Sequence, residues 1–370
     1  MNFLATCRLG LEAIVAAELR KLKINVVEVN DALIRFCGDE FDLGRCLLFL
    51  RTAERVLLEV GSFPAKSFEA LFDGVAALNW KQYLKRDAKI HVTGKSAKSG
   101  LFSVSDCQRI TKKAIVENLR RAYKTKLIPE TGSEIIVEVA LFRDIATLSL
   151  DACGAGLSRR SYRTRNVEAP LSETLGAGLL LLSQYSGAQD FLDPMCGSGT
   201  LPIEAALIAK NQAPGLQRSF AAEAWSFLNK NVFTLAREEA QSLIVPAPAQ
   251  IEGSDIDPKS IELCSFHAQR ANVNPIFKTR PLRELQKSNE AGILVVNPPY
   301  GERLLEKQSA QQLYKEMREV FKRLPFWGIN IFSSHLEFER IYGKRADKRR
   351  KLSSGGKPCM LYRYFPGKYE

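Results

Sequence analysis

The sequence predicts an α/β chain. Its C-terminal half is a doubly wound, Rossmann-like parallel sheet with an antiparallel last strand, and its N-terminal half is α+β. Three observations carry this. From about residue 172, apolar strand-like runs alternate with helical patterns. The first of those strands ends at Asp193 and leads into Gly197-Ser198-Gly199, a turn that opens a helix. Before about residue 155, short strands alternate apolar and polar residues and are interleaved with amphipathic helices.

The N-terminal elements follow from periodicity. Phe3–Cys7 reads as a strand, and Leu11–Lys21 as a helix with Leu11, Ile14, Val15 and Leu19 at helical spacing. Val26–Val29 and Ala32–Phe36 form a hairpin about Asn30-Asp31, a turn pair. Residues 42–55 read as a second helix. Phe68–Leu78 is a helix, Lys89–Gly94 a strand, and a polar loop then caps a long helix over Asp106–Tyr123. On that helix Arg109, Lys112, Lys113, Arg120 and Arg121 oppose Ile110, Ala114, Ile115 and Leu119, giving one cationic face and one core face. Ser133–Leu141 and Ile145–Asp151 read as paired strands, and residues 156–168 as a polar, basic linker.

The second half has a different grammar. Helix 172–185, strand 190–193 and helix 200–211 precede an insert, Ala213–Pro248. Strand 250–254, helix 258–271, strand 293–297, helix 308–323 and strand Ile329–Ser333 follow. The Gly355-Gly356 turn leads into a last strand, Cys359–Phe365, which a hairpin would make antiparallel at or next to the sheet edge. Three domains are expected: 1–60, 61–155 and 156–370.

Composition narrows the function. The chain has 370 residues, 45% hydrophobic and 25% charged, and its apolar runs fall short of the ~18 residues a membrane span requires. The N-terminus lacks the basic lead and cleavage site of a secretory signal. Eight scattered cysteines without a CxxC pair, and three histidines, do not make a zinc or iron–sulfur site, so no metal is expected. Reduced thiols point to a cytoplasmic location. Net charge is +12 and unevenly placed: residues 81–126 hold 13 basic residues against three acidic ones, and Arg340–Lys351 holds seven against Asp347 alone. Two such runs point to a polyanion, most commonly nucleic acid.

Two motifs carry chemistry. The first is Asp193-Pro194-Met195-Cys196-Gly197-Ser198-Gly199-Thr200. As a phosphate loop it lacks the Lys-Ser/Thr that should follow. As a dinucleotide fingerprint it lacks an acidic residue ~20 positions on, since the next acidic strand end is Asp255. A strand-end carboxylate beside a glycine loop suits a ligand with an amino acid end, namely S-adenosylmethionine, with Asp255 or Asp257 on its ribose. The second motif is Asn297-Pro298-Pro299-Tyr300 after the apolar run Ile293–Val296. A nucleobase amine is a poor nucleophile because its lone pair is delocalised. The Asn297 side-chain oxygen and the Pro298 carbonyl would accept its N–H groups, the two prolines would preorganise those acceptors, and Tyr300 would stack on the base.

DPMCGSGT and NPPYGERL, in that order, resemble the bacterial THUMP-domain-containing guanine-N2 RNA methyltransferases. Arg160-Ser161-Tyr162-Arg163 with Ala169–Leu175, and the insert's Ala213–Leu216, Arg218, Phe220 and Trp225, are similar to further family segments. KSAKSGLFSVSDCQRITKKAIVENL resembles the core of a THUMP domain, and residues 1–60 its ferredoxin-like companion. The resemblance implies S-adenosylmethionine bound by Leu171, Asp193, Pro194, Cys196, Gly197, Gly199, Thr200, Asp255, Ile256 and Asp257. It implies catalysis by Asn297, Pro298, Pro299 and Tyr300 on guanine of ribosomal RNA or tRNA. RNA contacts are expected from Lys95, Lys98, Lys112, Lys113, Arg160, Tyr162 and Arg163. One departure is clear: where relatives carry an Asp for the adenine, this chain has Phe277–Arg283 and no carboxylate before Glu284.

Adenine-N6 methylation is a competing reading, because NPPY serves either amine. A non-catalytic RNA-binding protein is the third. GERL and the basic N-terminal half favour guanine in RNA, and the intact Asp193, GSG and NPPY favour catalysis.

Overall fold

The computed structural model describes residues 1–164, 171–286, 288, 290–299 and 304–367. The N-terminal half contains β1 (Asn2–Cys7), α1 (Glu12–Lys21), β2 (Asn25–Asn30), β3 (Leu33–Cys37), α2 (Glu40–Phe49) and β4 (Ala53–Pro64). It continues through α3 (Phe68–Ala77), β5 (Lys89–Ala97), α4 (Val104–Ala122), β6 (Glu134–Phe142) and β7 (Ile145–Asp151). All seven strands form one sheet, in the order β2-β3-β1-β4-β7-β6-β5.

The helix expected over 42–55 is corrected here. It stops at Phe49, with Leu50 already extended, and residues 53–64 form β4, the strand that joins the two parts of the sheet. Residues such as Val56, Leu57 and Leu58 are apolar in either reading. What decides is pairing, because β4 lies between β1 and β7 and satisfies both ladders. The long cationic helix is present as expected: α4 buries Cys107, Thr111, Ala114, Ile115 and Leu119 and turns Arg109, Lys113 and Arg120 to solvent.

The C-terminal half contains α5 (Glu173–Leu182), β8 (Asp190–Asp193), α6 (Thr200–Ala209), α7 (Val232–Ser242), β9 (Ile251–Asp255), α8 (Pro258–Arg270) and β10 (Ile276–Thr279). Then come β11 (Gly292–Val296), α9 (Leu304–Phe321), β12 (Trp327–Ser333), α10 (Phe338–Tyr342), β13 (Lys348–Ser354) and β14 (Lys357–Tyr364). Sheet order is β10-β9-β8-β11-β12-β14-β13, parallel from β10 to β12 and antiparallel at β14 and β13. The last strand is antiparallel and next to the edge. Periodicity had not separated β10, the edge strand β13 or the insert helix α7. β10 and β13 bury almost nothing, so they lack the alternation that marks a strand.

The basic linker is the second correction. Arg160 and Tyr162 are only 3% and 2% exposed, because the segment 157–163 packs across α6 rather than running through solvent. The insert is equally structural. Its α7 packs on α2, and the Arg218 guanidinium donates to the carbonyls of Cys153, Ala155, Gly156 and Arg159 at the seam between the halves.

Candidate active site

In an open α/β sheet, ligands bind beyond the carboxyl ends of the strands where the order reverses. Here the reversal lies between β8 and β11. Their parallel register, with Leu192 beside Leu294, sends the loops after Asp193 and after Val296 out of the same end of the sheet. The two motifs, about 100 residues apart in sequence, therefore flank one crevice.

Asp193 is 2% exposed. Its Oδ1 accepts the Met195 N–H at 3.2 Å, and it makes no ion pair among the described residues. Burial, and then the Asp255 charge, hold its carboxyl well above the usual carboxylate range. Once ionised, a buried carboxylate with no cation of its own among the described residues is the complement of a ligand ammonium. Asp255 ties the loops together: Oδ2 accepts from Gly197 N at 2.9 Å and Oδ1 from Asp257 N at 3.0 Å. Asp257 is the N-cap of α8, accepting from Lys259 and Ser260. Ile256, between them, is 70% exposed.

The glycines have different reasons to be there. Gly199 has φ +84°, and a Cβ would meet the Cys264 Sγ at 3.0 Å, so helix α8 packs directly under the turn. Gly197 has φ +50° and nothing within 4 Å of a Cβ position, so its outer side is free for a ligand. No side chain caps α6, whose N-cap is Gly199, and with Pro202 lacking an N–H the uncapped first-turn donors are those of Thr200 and Leu201. Cys196 supports the loop from beneath. Its Sγ lies 3.8 Å from the Cys264 Sγ, which itself donates to the Gly197 carbonyl at 3.0 Å, and its N–H donates to the Ser254 carbonyl at 2.9 Å. Pro194 is buried below the loop. Leu171 and Thr200 meet at the crevice wall, where the Thr200 hydroxyl donates to the Leu171 carbonyl at 3.3 Å.

On the other side, Asn297 leaves β11 half-buried, Pro298 is buried and Pro299 exposed. The Pro299 carbonyl accepts from the hydroxyl of the buried Tyr314 on α9 at 3.1 Å, which anchors the backbone of this loop. Tyr300 lies outside the described residues. Lys278 on β10 and Arg280 just after it pair with Glu252, while Glu284 in the following loop is exposed.

The expected RNA contacts divide. Lys95, Lys98, Lys112 and Lys113 lie on the N-terminal sheet and α4. Lys95 pairs with Glu138 and Lys112 with Glu130, while Lys98 and Lys113 sit over the Phe142 and Phe72 rings. Arg160 and Tyr162 do not reach the surface, and this is a correction. Arg160 pairs with the fully buried Glu204 at 2.9 Å and donates to the Arg51 carbonyl, and the Tyr162 hydroxyl donates to the same Glu204 at 3.1 Å. Arg163 also turns inward, onto Leu171, Thr200 and Glu173. Composition could not reveal this, since the carboxylates that attract these arginines come from distant helices.

Sequence reasoning also missed Tyr314 and Cys264, which support the two loops, because a core Tyr or Cys has no local signature. Phe102 was missed as well. It is 83% exposed in the loop before α4, an exposure unusual enough for a phenylalanine to mark a contact surface. Among the described residues no helix is long and apolar enough to cross a membrane.

Comparison with known proteins agrees with this geometry. Residues 160–363 match the model of the RMKL-like methyltransferase domain, residues 2–57 the RlmL ferredoxin-like domain, and residues 65–151 the THUMP domain. The chain is 41% identical to "Putative RNA methyltransferase YpsC" of Bacillus subtilis, over 98% of this chain and 96% of that protein. It is 32% identical to the ribosomal RNA large subunit methyltransferase K/L of Photobacterium profundum over 98% of this chain, and spans about half (52%) of that longer relative. Among solved structures, one from Listeria monocytogenes, titled as a predicted N6-adenine-specific DNA methylase, has a TM-score of 0.93 at 42% identity, covering 99% of this chain and 96% of that one. SMU.472, solved in complex with SAH, has a TM-score of 0.92 at 37% identity, covering 99% and 98%. A buried acid without a cation, a glycine loop open on its ligand side and an Asn-Pro-Pro loop across the switch point thus coincide with a match over more than half the chain, and the protein belongs to the RMKL-like family of S-adenosylmethionine-dependent methyltransferases.

Proposed function

We propose that this protein transfers a methyl group to the N2 amine of a guanine in RNA, ribosomal RNA before tRNA. The observation that carries the reading is the opening of the Asp193 loop and the Asn297 loop into one crevice, in a chain whose other half bears a THUMP domain and a cationic helix face. The large-subunit K/L relatives support ribosomal RNA as the substrate class.

When bound, S-adenosylmethionine supplies a methyl group on a sulfonium, the electrophile. Asp193 would hold the ammonium of its amino acid end, the backbone N–H groups of Thr200 and Leu201 at the start of α6 would take its carboxylate, and Asp255 or Asp257 would take the ribose. Ile256 offers an apolar face to the adenine, whose edge is left to backbone or Glu284. The Asn297 side-chain oxygen and the Pro298 carbonyl accept the two N–H bonds of the guanine amine. This turns the nitrogen lone pair out of the ring and towards the methyl carbon. With the cofactor bound, the N–C bond would form as the C–S bond breaks and the sulfur leaves as a neutral thioether, and the methylated nitrogen would then lose its proton to water, so no strong base would be required. Tyr300 stacks on the flipped base.

The test is to incubate the protein with unmodified RNA and tritiated cofactor, digest the product and identify the nucleoside by mass spectrometry. N2-methylguanosine is expected. N6-methyladenosine would overturn the guanine assignment in favour of the adenine chemistry for which the Listeria protein is named. No transfer to any RNA, with the cofactor bound, would overturn the catalytic reading.

A further inference from the structure

We propose that Arg163 is a positioning residue for the cofactor, setting through Leu171 and Thr200 the wall of the pocket that receives its amino acid end. This rests on the reading of the Asp193–Gly199 turn as the cofactor loop.

The geometry is specific. Thr200 and Glu204 are four residues apart and share one face of α6. The strap Arg160–Arg163 lies across that face and engages both positions. Arg160 and Tyr162 hold Glu204. One turn nearer the crevice, both terminal nitrogens of Arg163 donate to the Leu171 carbonyl at 3.1 Å, and one also donates to the Thr200 hydroxyl. The Arg163 Nε is 3.5 Å from a Glu173 carboxylate oxygen. A single guanidinium thus joins Leu171, two residues before α5, to the first residue of α5 and the first residue of α6.

That first residue of α6 directly follows Gly199, so its position fixes the uncapped N–H groups facing the crevice. Among the described residues, the other polar tie between Thr200 and Leu171 is their own hydrogen bond. The Arg163 side chain is 14% exposed, and its head group is spent on these contacts, so it has little left for a phosphate. The planar fork matters. An ammonium can donate to either acceptor but does not span both in a fixed plane. Burying a guanidinium is costly, and a cost of that kind is commonly retained where a unique geometry is needed.

The experiment is isothermal titration of S-adenosylmethionine into the full-length wild type, Arg163→Ala, Arg163→Lys and Thr200→Val, with RNA binding measured over a salt series on the same proteins. Arg163→Ala should raise the cofactor Kd by about tenfold or more, the scale of a small misplacement of binding groups. Arg163→Lys should recover part of that loss, and Thr200→Val should move Kd the same way as Arg163→Ala. In turnover, the KM for the cofactor should rise while kcat at saturating cofactor stays within about threefold. RNA affinity and its salt dependence should not change. Should Arg163→Ala fail to fold, Thr200→Val and Arg163→Lys decide the matter. A cofactor Kd within about twofold of wild type in folded variants overturns the proposal. So does a salt slope lowered by about one with Kd unchanged, which would return Arg163 to the RNA. Failure of the wild type to bind the cofactor would instead remove the loop assignment beneath it.

Discussion

Replacing Asp193 by Asn tests the cofactor loop through two effects of opposite sign. In the free protein the Asp193 carboxylate is buried, accepts one backbone N–H and has no cationic partner among the described residues. Burial and Asp255 raise its pKa, so the folded state holds this proton to higher pH than the unfolded chain does. Stability therefore falls as pH rises from the ordinary carboxylate range towards the folded pKa, because the unfolded chain releases the proton first. Asn is nearly isosteric and carries no charge. Asp193→Asn should remove that fall and leave the melting temperature of the ligand-free protein unchanged or higher at neutral pH. Binding should move the other way. One charge-assisted hydrogen bond to an ammonium contributes ~1.5–3 kcal/mol, which is roughly a 10- to 150-fold increase in Kd. In wild type, affinity should rise with pH through the raised pKa as the carboxylate becomes available. The variant should lose that dependence. Calorimetric titration at several pH values, paired with thermal melts, reads both. A folded Asp193→Asn protein with wild-type affinity would refute the placement of the ammonium, and a large loss of stability would refute the account of an uncompensated buried charge.

The reacting loop and the cationic surface give three further expected outcomes. Asn297→Ala removes an acceptor for the reacting amine and should slow methyl transfer by roughly a hundredfold or more while sparing cofactor binding. Single-turnover rates with bound cofactor check this, and a normal rate would remove Asn297 from the reaction. In the same assay Tyr300→Ala should cost stacking of ~1–3 kcal/mol, and Tyr300→Phe should be mild. Changing Lys95, Lys98, Lys112 and Lys113 together to Ala should weaken RNA binding and flatten its salt dependence by about one unit per lost phosphate contact, with cofactor binding intact. Lys95 and Lys112 already have carboxylate partners, so Lys98 and Lys113 should carry the larger share. RNA binding with unchanged strength and salt slope would show a merely solvated face.

Much of this protein was legible in its sequence because the physics involved is local. A glycine turn between an acidic strand end and a helix, and an Asn-Pro-Pro after an apolar strand, constrain the backbone through neighbouring residues alone. So does the 3.6-residue stripe of α4. What lay beyond the sequence was set by partners far along the chain. Residues 53–55, the start of β4, read as the end of a helix because their local pattern suits either element, and only pairing with β1 and β7 decides between them. β10 and β13 are edge strands held by a neighbour's hydrogen bonds rather than by burial. The strap 160–163 is the clearest case. Its basic residues look like a solvated, RNA-facing linker. Yet Glu204 and Glu173, on two later helices, draw the arginines inside, because each buried carboxylate offsets the cost of taking its guanidinium partner out of water. Sequence by itself therefore determined the two motifs and the kind of chemistry they suit. Tertiary structure decided that their loops leave the same end of the sheet, and that Arg163 turns inward onto Leu171 and Thr200, because both depend on groups that meet only when the sheet and its helices are assembled.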